Sequence, residues 1–409
     1  MATSVRLTSV RVQGYLGVPT SEEQALTLSD LQQCNVLVGP NSSGKSIVFR
    51  LLHLTQTSVL ESLAENQSFS DSDAARRWFW RNETDTPIRV ELTFSAPDDD
   101  TDLGVYRICK SGEYRLRFQI ADTGADGVEL TTYPQVWDKK ESHWCDLPDT
   151  PGLARTTQHE SGRKRKRTLF KSKLTDKLSE TLKELSKSMY FFDAVRALDR
   201  GGSLGLDDGS KLLQELQQRD HALVSADESH EFRRTLVQRL NELLVPSGVP
   251  RIASVEFKAT GSEPALLLRP AHAEQCSINV ESMGSGVTEL VIILSALIRR
   301  EAEQAIVFIE EPETHLHPGL LRRAMRLFRS LDDKQFFIST HSNAILDSVG
   351  GGDRVYQFRQ DPDDGACVAV QCRELIDQHR VLDELGVSGS TLLQSNAVIW
   401  VEGPSDRIY

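Results

Sequence analysis

The stretch Gly39-Pro40-Asn41-Ser42-Ser43-Gly44-Lys45-Ser46 constrains this chain more than any other. Val36-Leu37-Val38 before it reads as a buried strand, and Ile47-Val48-Phe49-Arg50-Leu51-Leu52 after it as an apolar helix. The pattern GxxxxGKS therefore has the strand-before, helix-after setting that phosphate binding requires. Gly39 and Gly44 let the backbone curl so that consecutive N–H groups face one anion, and the helix N-terminus adds partial positive charge. Gly39, Asn41, Ser42, Ser43, Gly44, Lys45 and Ser46 are the candidate ATP-binding residues. Lys45 is expected to reach the β- and γ-phosphates, and the Ser46 hydroxyl to hold Mg²⁺.

The rest of such a site lies far downstream. Glu281-Ser282-Met283-Gly284-Ser285-Gly286 opens a predicted helix with small residues, another anion-binding end. Ala305-Ile306-Val307-Phe308-Ile309 reads as a buried strand running into Glu310-Glu311-Pro312-Glu313-Thr314-His315-Leu316-His317-Pro318. Two acids at a central strand tip cost desolvation energy unless a cation sits opposite, and Mg²⁺ on a triphosphate is that cation. Glu310 is the candidate metal ligand, and Glu311 the candidate catalytic residue that polarises the attacking water. A third strand, residues 335–339, ends in Thr340-His341-Ser342, where His341 is the second candidate catalytic residue, placed to contact the γ-phosphate.

Composition narrows the class. The net charge of −12 disfavours non-specific attraction to nucleic acid, yet Arg163-Lys164-Arg165-Lys166-Arg167, followed by Lys171 and Lys173, reverses it locally. This run is a candidate DNA-binding patch or a solvated loop or helix face. Six cysteines without a CxxC pair argue for a reducing compartment and against a disulfide framework or zinc site. With no charged-then-apolar leader and no apolar run long enough to span a bilayer, the expectation is a cytoplasmic protein without membrane contact.

Between the two halves of the site, residues 88–94, 105–108 and 114–118 alternate apolar and polar and read as an antiparallel sheet. Residues 174–189 and 211–244 carry helical spacing and form an expected arm or dimer element. Tyr190-Phe191-Phe192-Asp193-Ala194-Val195-Arg196 reads as a strand returning to the core, with Arg196 either a nucleotide-sensing or structural contact or a surface arginine. The last residues, Ala397-Val398-Ile399-Trp400-Val401-Glu402-Gly403-Pro404-Ser405-Asp406, are an apolar strand ending in two acids.

Taken in order, the phosphate loop, the SMGSG helix start, FIEEPETHLHP and STHS resemble an ABC-type P-loop ATPase head, and the EEPExHLHP form resembles the OLD (overcoming lysogenization defect) family. Glu310 stands where transporter subunits carry Asp, Ser282-Met283-Gly284 where they carry Ser-Gly-Gly, and Gln13-Gly14-Tyr15-Leu16-Gly17 where an Asn-Phe-Arg-Gly-type turn is usual. The resemblance implies that Ser282 and Gly284 touch ATP held by another copy, so that the head works as a homodimer or higher homo-oligomer. VEGPSD resembles the start of a Toprim nuclease domain, implying that Glu402 and Asp406 bind Mg²⁺ or Mn²⁺. The expected fold is α/β: an ATPase head with an antiparallel β subdomain and an inserted helical arm or dimerisation region, truncated at the first Toprim strand. Its expected division is residues 1–160, ATPase lobe I; 161–250, the basic and helical insertion; 251–390, ATPase lobe II; and 391–409, the Toprim start. The implied function is an ATP-dependent DNA endonuclease in anti-phage defence, with DNA and a defence-system partner protein as partners. An SMC-like DNA-structural ATPase clamp without nuclease activity is the alternative.

Overall fold

The computed structural model describes residues 5–60, 77–95, 113–122, 128–138, 143–146, 185–192, 226–260, 263–273, 275–298, 305–314 and 316–372. Within these, β1 (Arg6–Gln13) and β2 (Leu26–Ser29) pair antiparallel, and β3 (Cys34–Val38) leads into α1 (Lys45–Leu54). Then come β4 (Ile88–Ser95), β5 (Glu113–Asp122), β6 (Val128–Asp138), β7 (His143–Asp146) and β8 (Met189–Phe192). The second half holds α2 (Ala226–Leu244), β9 (Ile252–Thr260), β10 (Glu263–Pro270), β11 (Ile278–Asn279), α3 (Ser285–Ile298) and β12 (Ile306–Glu310). It closes with α4 (Pro318–Arg329), β13 (Gln335–Thr340), α5 (Asn343–Leu346), β14 (Arg354–Gln360) and β15 (Cys367–Cys372).

Two six-stranded sheets organise these elements. The first, in the order β2-β1-β4-β5-β6-β7, is antiparallel throughout. In β4 the apolar residues Ile88, Val90, Leu92 and Phe94 are buried and alternate with more exposed Arg89, Glu91, Thr93 and Ser95, as a sheet with one wet face requires. The second, in the order β15-β14-β3-β13-β12-β8, has parallel pairing from β14 to β8. Every residue of β3 and β13 is buried, the continuous apolar pattern of parallel strands covered on both faces. A three-stranded sheet β11-β10-β9 stands beside them.

The central sheet separates two cores. On one face, α1 packs Val48, Phe49, Leu51 and Leu52 between the central strands and the antiparallel sheet. In-register Phe191, Phe308 and Phe337 stack across β8, β12 and β13 with centroids 4.4 and 4.8 Å apart on this face. Truncating Phe308 to alanine is expected to cost about 3–5 kcal/mol. The other face carries α2, α3 and α4 against Val307, Ile309, Phe336 and Ile338. Residues 288–297 of α3 are all buried, which explains why seven of these ten residues are apolar.

The helix expected from residue 281 begins at Ser285, because Gly284 at φ +96° breaks the helical path and a short 3-10 turn (Val280–Met283) precedes it. The 105–108 strand, the Arg163 to Arg167 run, residues 174–184 and 211–225, Arg196, Glu402 and Asp406 lie outside the described residues. Among the described residues no helix is long and apolar enough to cross a membrane.

Candidate functional site

Strand register builds the site. Val38 pairs with Thr340 and Glu310 with Ser339, so β3, β13 and β12 end together at one edge of the central sheet. The next residues on each strand are Gly39, His341 and Glu311. Three segments remote in sequence thus deliver a phosphate loop, a histidine and acids to one place, the position where open parallel sheets bind ligands.

The loop fits its glycines tightly. A Cβ on Gly39 would strike the Phe358 carbonyl, and one on Gly44, at φ +102°, would strike the Cys367 sulfur of β15. Ser42 also takes a left-handed conformation, φ +66°. Lys45 is buried, and its ammonium donates to the carbonyls of Gly39 and Pro40, each at 2.8 Å. Burial pulls its pKa below the ordinary lysine value, while Glu311, Glu313 and Glu310 oppose that shift. The hydroxyl of Ser43 is buried with no protein partner, an orphan polar atom inside the loop of the kind a bound phosphate satisfies.

Glu310 and Ser46 meet directly, the serine hydroxyl donating to the Glu310 carboxylate. A hydroxyl and a carboxylate are hard oxygen donors, and Mg²⁺ typically takes one or two protein groups plus waters and substrate phosphates. The pair fits such an ion. Among the described residues there is no group of three or more His, Cys, Asp and Glu side chains that would hold a metal without the nucleotide.

Glu311 adopts φ +43°, a strained value for a residue with a side chain. Its N–H donates to the Ser339 carbonyl at 2.9 Å, and its own carbonyl accepts from the Thr314 N–H and hydroxyl at 3.1 and 2.9 Å. These bonds hold the strain and turn the carboxylate toward His341, whose Nδ1 is 3.5 Å from Glu311 Oε1. Sequence reasoning missed Glu313. Its side chain is 9% exposed, and Oε1 accepts from the Thr340 hydroxyl at 2.6 Å and from the His341 N–H at 2.8 Å, while lying 3.3 Å from His341 Nδ1. The only signal was a third acid two residues past Glu311.

Ser282 and Gly284 are exposed at the start of α3. Ser282 donates to the Asn279 carbonyl at 2.6 Å, and nothing lies within 4 Å of a Cβ placed on Gly284. They form an open tip on a buried helix.

The family model described as "AAA domain, putative AbiEii toxin, Type IV TA system" matches residues 34–144 and 274–347, which hold both halves of this site. An OLD nuclease from Thermus scotoductus (strain ATCC 700910 / SA-01) is 25% identical over 202 residues, covering 46% of this chain and 38% of that protein. The match thus spans well under half the length of that relative. Among solved structures, an SMC head bound to the C-terminal winged-helix domain of ScpA superposes with a TM-score of 0.52 at 12% identity, covering 90% of this chain and 98% of that one. The Pyrococcus furiosus Smc head, with an extended coiled coil and bound to the C-terminal domain of ScpA, gives 0.50 at 13%, covering 93% and 100%. At these identities the likeness is one of fold. Fold and site together define a P-loop ATPase head of the ABC and SMC type. Within that class, the chain is similar to an OLD nuclease over part of its length.

Proposed function

We propose that this head hydrolyses ATP between two copies of the chain and thereby controls a metal-dependent Toprim nuclease that cuts DNA in anti-phage defence. The observation that carries the ATPase part is the shared edge of β3, β13 and β12, where Lys45, Ser46, Glu310, Glu311 and His341 converge. Lys45 exchanges its loop carbonyls for the phosphates, and loop N–H groups with the Ser43 hydroxyl complete the cradle. Ser46 and Glu310 would hold Mg²⁺, which supplies charge neutralisation on the phosphates. Glu311 accepts a proton from the attacking water and orients it in line, and His341 donates toward the γ-phosphate.

The exposed Ser282 and Gly284 support a sandwich dimer, since an open glycine-rich helix start suits phosphates held by another copy. Glu402 and Asp406 are proposed as Toprim metal ligands and the Arg163 to Arg167 run as a DNA contact, both on sequence grounds. Solved SMC heads share the fold, which favours a second reading, an ATP-driven clamp on DNA that cuts nothing.

The two readings separate in any form of the protein that carries a complete Toprim domain. It should nick plasmid DNA with Mg²⁺ or Mn²⁺, and Glu402→Ala should abolish nicking while ATPase activity persists. ATP-dependent DNA retention without nicking would select the clamp. Light scattering of Glu311→Gln with ATP should show a dimer that Ser282→Arg disrupts; a monomer under saturating ATP would refute the sandwich.

A further inference from the structure

The antiparallel sheet turns one polar face away from the core, and cations gather on it. In register, Arg11, Glu91, Arg117 and Tyr133 form one row across β1, β4, β5 and β6, and Gln13, Arg89 and Gln119 form the adjacent row. These residues, with Glu22, line a hollow of about 370 Å³ on the sheet. With strands about 4.8 Å apart and about 3.4 Å per residue along each, Arg11 and Arg117 stand about 10 Å apart and Arg89 about 8 Å from both. Three guanidinium groups within side-chain reach of one another repel unless an anion lies between them.

The two acids lining the hollow do little to neutralise it. Glu91 pairs with Arg115 at 3.3 Å. Glu22 reaches Arg11 at 3.4 Å, but its side chain is 84% exposed, so the contact is weak. Among the described residues Arg89 and Arg117 have no acid within ion-pair distance. Beside Arg117, Tyr133 is 39% exposed, and Gln119 donates to its hydroxyl at 3.0 Å and orients the ring.

We propose that this face binds single-stranded nucleic acid, with Arg11, Arg89 and Arg117 tracking consecutive phosphates and Tyr133 stacking on a base. Cations along a groove with an exposed ring among them are the requirements for sequence-tolerant single-strand binding. A duplex would use the arginines but has no unstacked base for Tyr133. The surface lies on the first sheet, stands apart from the ATP site, and does not rest on the ATPase reading.

The test is fluorescence anisotropy of the full chain without nucleotide, using labelled dT20 and a 20-base-pair duplex at two salt concentrations. Arg89→Ala with Arg117→Ala should weaken dT20 binding about tenfold or more and reduce the salt slope by about 1.4, two phosphates at about 0.7 each for single strands. Tyr133→Ala should weaken dT20 about fivefold or more, leave the slope unchanged, and spare the duplex. All three side chains are exposed enough for the variants to fold, which an unchanged thermal melting temperature verifies. Unchanged dT20 affinity in both variants overturns the proposal, and equal losses for dT20 and duplex in Tyr133→Ala overturn its single-strand part.

Discussion

Glu313 grips the backbone of His341: one carboxylate oxygen accepts the histidine N–H at 2.8 Å and the hydroxyl of neighbouring Thr340 at 2.6 Å, while the other oxygen is buried without a partner. The acid thus ties the end of β13 to the turn after β12. It is placed to position the histidine and the turn that carries Glu311. A charged hydrogen bond of this kind contributes about 1.5–3 kcal/mol. Glu313→Ala should therefore lower ATP turnover about tenfold or more while ATP affinity stays within about threefold. A changed affinity with unchanged turnover would contradict the positioning role.

Lys45→Ala and Glu311→Gln should fail in different ways. Removing the ammonium that meets the phosphates should abolish or severely weaken ATP binding. The glutamine keeps shape but cannot take a proton, so ATP should bind and remain uncleaved. Filter binding and phosphate release measured together distinguish them, and wild-type turnover by Glu311→Gln would remove its catalytic assignment.

Two glycines with similar backbones offer an internal comparison. Gly44 sits at φ +102° with a Cβ position blocked by Cys367, and Gly248 at φ +84° with nothing within 4 Å. Both alanine variants pay left-handed strain of about 1–3 kcal/mol. Gly44→Ala must also displace β15 or the phosphate loop. It should melt at a lower temperature than Gly248→Ala and lose ATP binding, whereas Gly248→Ala keeps it.

Cys367 should be chemically silent. Its thiol is buried beneath the phosphate loop, donates to the Ser43 carbonyl at 3.3 Å, and is pushed up to about 12 by burial. At pH 8 it stays protonated, and because the shift is upward, raising the pH to 10 still leaves it so. Exposed Cys276 lacks that protection. Iodoacetamide labelling followed by peptide mass spectrometry should modify Cys276 readily and Cys367 only on unfolding.

Alanine at Arg163, Lys164, Arg165, Lys166 and Arg167 together should weaken DNA binding and flatten its salt dependence. Unchanged affinity and slope at two salt concentrations would return the run to a solvated loop.

Sequence showed the site better than the fold. Glu310, Glu311 and His341 sit at strand ends, and Lys45 and Ser46 open the helix that follows one, where runs such as Val36-Leu37-Val38 or Phe336-Phe337-Ile338 mark buried parallel strands, so their convergence was foreseeable. Glu313 was not, because its partners are 27 and 28 residues away and no local pattern encodes that contact. The polar face around Arg117 was also hidden: Arg11, Arg89 and Arg117 come from three strands, and only cross-strand register aligns them. The strand at residues 88–94 was legible from alternation alone, whereas the pairing of β9 with β10 has no comparable marker.

The edges of the two large sheets have a consequence for how this chain can change length. β7 is the last strand of the antiparallel sheet and β8 the last of the central one. Among the described residues each is an edge strand, paired on one side only, and Ser46 and Glu310 bond across a separation of 264 residues that includes both strands. Extra residues between these two edges leave every described ladder intact, and doubling a flexible loop in general adds only about 0.6 kcal/mol of closure entropy. The junction is a splice port: sequence can be added or exchanged there, and with it new binding behaviour, while the catalytic edge keeps its register.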